Sequence, residues 1–71
     1  MLKYVVQWRC GRWVNHKDKN GNTIYFDTYD EALDFMLSMA PNTNTFHRVC
    51  RYEGGRKYIE LANLNVKTGS T

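Results

Sequence analysis

The sequence predicts an α+β domain: an antiparallel sheet of about four to five strands, in the order β-β-β-α-β-β, with one helix over about 29–40 packed on a face. Three observations predict it. Runs rich in β-branched and aromatic residues lie at both ends of the chain, one helix-favouring segment separates them, and turn signals punctuate the rest. A chain of 71 residues holds one domain, expected over 1–65, with residues 66–71 as a disordered tail.

The first strand is read in LKYVVQWR (2–9), where Leu2, Tyr4, Val6 and Trp8 share one face when extended. Cys10-Gly11 turns the chain into RWVNH (12–16). Asn20-Gly21 is the strongest hairpin signal and leads into a short strand, NTIYF (22–26). The helix opens on Thr28-Tyr-Asp-Glu31, a capping box, with Asp30 and Glu31 placed to complement the helix dipole. Pro41 and the NTNT run close it. TFHRVCRY (45–52) and RKYIELANL (56–64) read as a hairpin turned at Gly54-Gly55.

The helix has a surplus of apolar surface. Asp30, Glu31, Asp34 and Ser38 form one polar stripe, and the remaining arc spans roughly 200°, about twice what packing on a sheet needs. Leu33, Met36, Leu37 and Ala40 are expected on the sheet, leaving Phe35 and Met39, with Ala32 between them, on the shoulder. Either a curved sheet or loop 41–45 covers that shoulder, or it is a subunit contact. A core this small favours the contact and hence a homo-oligomer.

Aromatics make up 14% of residues and the net charge is +3, a mild bias toward anionic partners. No signal peptide or membrane-spanning stretch is read, so a cytoplasmic protein with reduced thiols is expected. Cys10, His16, His47 and Cys50 could supply four zinc ligands, but the offset of three from His47 to Cys50 turns these side chains to opposite faces of a strand. No metal, cofactor or catalytic residue is expected, since no nucleophile–base pair, phosphate loop or paired acid and base is legible. Basic residues interleaved with aromatics carry the binding expectation. Arg9, Arg12 and Trp13 in the first meander, and His47, Arg51 and Arg56 in the last hairpin, are the candidate ligand contacts, because guanidinium forks hold phosphates and aromatic faces stack on bases.

KYVVQ (3–7), FDTYDEAL (26–33) and HRVCR (47–51) together resemble short proteins encoded by bacteriophages and prophages, over residues 3–52. The resemblance implies a non-enzymatic binder or inhibitor directed at host machinery, such as an anti-CRISPR protein or an oligomeric sponge for nucleotide immune signals. It carries no functional residue. The expected function is sequestration of an anionic nucleotide-like ligand. The alternatives are a protein–protein inhibitor of a host defence or nuclease complex and a sequence-independent nucleic-acid binder.

Overall fold

A computed structural model describes residues 3–39 and 45–64. Strands β1 (Lys3–Arg9), β2 (Trp13–Asn15), β3 (His47–Gly54) and β4 (Lys57–Leu64) form one antiparallel sheet in the order β2-β1-β3-β4. Helix α1 (Tyr29–Met39) packs on the two central strands. The expected tail 66–71, and the helix stop at residues 40–44, lie outside the described residues.

The expected strand at 22–26 does not form. Asn20-Gly21 does turn the chain, with Gly21 at φ 87° and the Asp18 carboxylate accepting from the amides of Asn20 and Asn22. Beyond that turn the segment's ladder pairing is confined to the isolated bridges Lys17↔Thr23 and Tyr4↔Phe26. The reason lies in the free edge of β1. β2 pairs with Gln7–Arg9 and the His16 amide donates to the Val6 carbonyl, so only the Tyr4 end is left, where Phe26 makes two backbone bonds.

Register assigns the two faces, since directly opposed residues in an antiparallel pair share a side. Val6 lies opposite Val49 and joins Ala32 and Met36 in the core under the helix. Thr28 Oγ1 accepts from the Glu31 amide at 3.2 Å, so the capping hydroxyl fixes where the helix starts. The helix puts Met36 in the core and Leu33 against it, as periodicity suggested, but is rotated so that Ala32 takes the place expected of Leu37. Ala32 and Met36 are its buried residues, whereas Leu37, expected on the sheet, is 49% exposed.

That rotation brings the small Ala32 against the sheet and turns Phe35 toward an aromatic group. Phe35 packs with Phe26 at 5.2 Å between centroids and edge-on to His16 at 5.3 Å. Ala32 is therefore core, not part of a subunit contact, and part of the apolar surplus is spent on Phe26 and His16. Met39 is half-buried. Met36→Ala should lower unfolding free energy by about 2–5 kcal/mol with the fold retained, measured by urea denaturation.

His16 and His47 stack at 5.4 Å with planes 21° apart, beside Trp8. His47, taken from the sequence as a ligand contact, is 1% exposed and bonds through Nδ1 to the Thr45 carbonyl oxygen at 2.8 Å. It is a core histidine, because an odd position on β3 faces the helix. His16 Nε2 is the one buried side-chain nitrogen or oxygen among the described residues that lacks a hydrogen-bond partner. Burial, and then the neighbouring His47, hold the His16 pKa below its ordinary 6.5. Its neutral form is thus favoured in the fold, while the unfolded chain takes up the proton at about 6.5. The stability this contributes is complete above that pH and declines as pH falls below it. The melting temperature should therefore drop between pH 7.5 and pH 5, and the drop should shrink in His16→Phe; an unchanged slope would exclude His16 as its source.

Candidate functional site

The helix covers one side of the sheet, and no other helix among the described residues covers the opposite side. On this open face lie Lys3, Val5, Gln7 and Arg9 of β1, Trp13 and Asn15 of β2, Arg48, Cys50 and Tyr52 of β3, and Tyr58, Glu60 and Asn63 of β4. Val5 and Cys50 are fully buried here and Gln7 is 4% exposed, so the longer side chains around them act as a lid.

A hydrogen-bond circuit runs across all four strands. Glu60 Oε1 accepts from Arg48 Nη1 at 3.2 Å, and Arg48 Nε donates to Gln7 Oε1 at 2.7 Å. Gln7 Nε2 donates to Asn15 Oδ1 at 2.7 Å, and Asn15 Nδ2 donates to the Tyr58 hydroxyl at 3.2 Å. The Cys50 thiol donates to the same Gln7 oxygen at 3.4 Å. Tyr58 and Asn15 stand on opposite outer strands, so their bond passes over the face and closes the circuit onto β4.

Trp13 is held at the edge of this network. The Arg48 guanidinium lies 4.3 Å from its ring centroid and that of Arg9 5.6 Å away, both within cation–π range. A groove of about 260 Å³ passes beside it, lined by Arg12, Trp13, Asn15, Lys17 and Tyr58 over Gln7. Arg48 is paired with Glu60, Arg51 with Glu53 and Lys3 with Asp27. Arg9, Arg12 and Lys17 have no ion pair among the described residues. The site thus offers uncompensated cations, a planar ring and fixed amides.

The sequence candidates separate accordingly. Arg9, Arg12 and Trp13 are brought together. Arg56 stands at the β3–β4 turn, Arg51 is on the helix side opposite Tyr4 and Ile59, and His47 is interior. Arg48, Gln7, Asn15, Lys17 and Tyr58 were not selected. The parity that removes His47 from the face puts its neighbour Arg48 on it, a signal present in the sequence but usable only once the buried side of β3 is known.

A larger cavity, about 460 Å³, lies on the helix side between Trp8, Val14, His16, Lys17, Thr45 and His47. Its unpartnered His16 nitrogen is shielded from solvent and is itself out of reach of a ligand. Among the described residues no three His, Cys, Asp or Glu side chains converge on a point suited to a metal ion. Nor is any described helix long and apolar enough to cross a membrane. Comparison with known proteins finds no matching family model, no matching curated protein and no matching solved structure.

The two thiols differ sharply. Cys10 is exposed at the β1–β2 turn. Cys50 is pushed up to about 11 by burial, against the nearby Arg48 charge and with a smaller push from Glu60. Since the thiolate is the reactive form, iodoacetamide at pH 8 should alkylate Cys10 alone, giving one adduct by mass spectrometry. A second adduct on folded protein would mean that the lid over Cys50 opens.

Proposed function

We propose that this chain is a non-catalytic binding protein that holds an anionic, nucleotide-like ligand against Trp13 on the open sheet face. The observation that carries this reading is the gathering of Arg9, Arg12 and Lys17, without ion pairs among the described residues, around an indole already braced by Arg48. Planar rings stack on bases, and unpaired cations supply the phosphate contacts. Arg48 is held by Gln7 and Glu60, which spares the ligand part of the cost of ordering a long side chain.

Among the described residues the face sets no nucleophile beside a base: its one buried thiol bonds to an amide oxygen and is raised in pKa. Binding without turnover is the activity such a face suits. Within the resemblance to short phage proteins, that activity would serve counter-defence by sequestering a nucleotide signal in the host cytosol.

Titration with AMP and ATP at low salt should quench tryptophan fluorescence saturably. Trp13→Ala should weaken binding roughly five- to a hundred-fold, the span set by stacking energies of about 1–3 kcal/mol per base. Arg12→Glu, at an exposed position, should weaken it with the melting temperature unchanged. Equal affinity in both variants would remove Trp13 and Arg12 from the site. No response to any nucleotide would favour a protein–protein inhibitor, with Ile59 and Leu61, each 41% exposed on the outer strand β4, as its apolar contact.

A further inference from the structure

The open face carries more aromatic surface than one nucleotide can use. Tyr58, whose hydroxyl closes the polar circuit, lies 5.0 Å from Tyr52 between ring centroids, and Tyr52 lies 5.7 Å from Tyr25. Tyr25 is 48% exposed. It reaches this side because its neighbour Phe26 bridges Tyr4 and packs under the helix, which turns Tyr25 the other way. A second groove of about 470 Å³ opens there, between Lys3, Tyr25, Tyr52, Glu53 and Gly54. The pair Tyr58–Tyr52 therefore links the two grooves, with Trp13 in the first and Tyr25 in the second.

Charge follows the same line. Arg9, Arg12 and Lys17 flank the Trp13 end, and Arg56 and Lys57 stand at the β3–β4 turn beside Tyr52, whose hydroxyl donates to the Gly55 carbonyl. None of these five has an ion pair among the described residues, whereas the acids along the path, Glu60, Glu53 and Asp27, are each matched by Arg48, Arg51 or Lys3. Trp13 lies opposite Arg9 and Tyr52 opposite Lys3, so the path runs the length of β1 and crosses two strand spacings. That is about 22 Å at ~3.3 Å per residue and ~4.8 Å per strand.

We infer that the ligand of this face is a single-stranded oligonucleotide, laid from Trp13 across Tyr58 and Tyr52 to Tyr25 with phosphates at the cationic ends. This rests on the nucleotide-binding reading above and names its ligand class. A path of that length suits about four nucleotides, the lower end of site sizes for single-strand binding domains. Stacking tolerates any base, so the recognition is of a flexible, unpaired strand rather than of a sequence.

Fluorescence anisotropy on labelled dT2, dT4, dT8 and rU8, with AMP as a competitor, tests this. Affinity should rise at least tenfold from dT2 to dT4, then change little per site, and fall with salt at a log–log slope of about −2 or steeper. Tyr25→Ala should cost the longer strands five-fold or more and leave AMP affinity unchanged, while Trp13→Ala weakens both. Preference for rU8 over dT8 would identify RNA as the source and the reverse DNA; either supports a strand ligand. Affinity independent of length, or a Tyr25→Ala variant equal to wild type on dT8, would overturn the strand while leaving the nucleotide reading intact. Absence of AMP and oligonucleotide binding together would overturn both.

Discussion

Gln7 is the residue on which the open face depends. Its amide sits almost wholly buried in the middle of the sheet side opposite α1. Its oxygen accepts from Arg48 and from the Cys50 thiol, and its nitrogen donates to Asn15. A buried amide left without partners costs more than a well-bonded one contributes, so the circuit is stable only when every member is in place. This constraint reaches outward in both directions. Through Asn15 it positions Tyr58, and through Arg48 it fixes the guanidinium that braces Trp13.

Two different kinds of cohesion thus hold the two sides of one sheet. Under the helix, Val6, Val49, Met36 and Ala32 leave water together, at about 1.5–3 kcal/mol for each large side chain. On the other side, Val5 and Cys50 are roofed by polar and aromatic side chains that bond to one another. A chain this short lacks the residues for two hydrophobic layers. The polar roof shields the second side and leaves ring faces and cations at its margin. The exposed cations and rings are a consequence of how a small sheet covers itself.

Much of this was legible in the sequence. The Thr28 cap, the Gly21 turn and the hairpin at Gly54-Gly55 are local signals, and local geometry bears them out. Strand parity separated Trp8 from Arg9 and His47 from Cys50. The strand expected at 22–26 was not legible as a bridge-only segment, because its fate depends on how much of the β1 edge β2 leaves free. Nor was the helix rotation, since an apolar arc of roughly 200° permits several sides to face the sheet, and the rings of Phe26 and His16 made the choice. Of the site, Arg9, Arg12 and Trp13 were visible as neighbours in the chain. Arg48 and Tyr58 join them only through pairing across strands far apart in sequence.

By itself the sequence determined the parts: one helix with its cap, the main strands, their alternating faces, and a surplus of aromatic and basic side chains. Only the tertiary structure decided which residues meet. The strand order β2-β1-β3-β4 sets Gln7 between Asn15 and Arg48 and lets Tyr58 reach across to Asn15. Periodicity states which side of an element a residue occupies, but not which element will lie beside it. That is settled by the free energy of burying one apolar side under a helix and satisfying every polar group on the other.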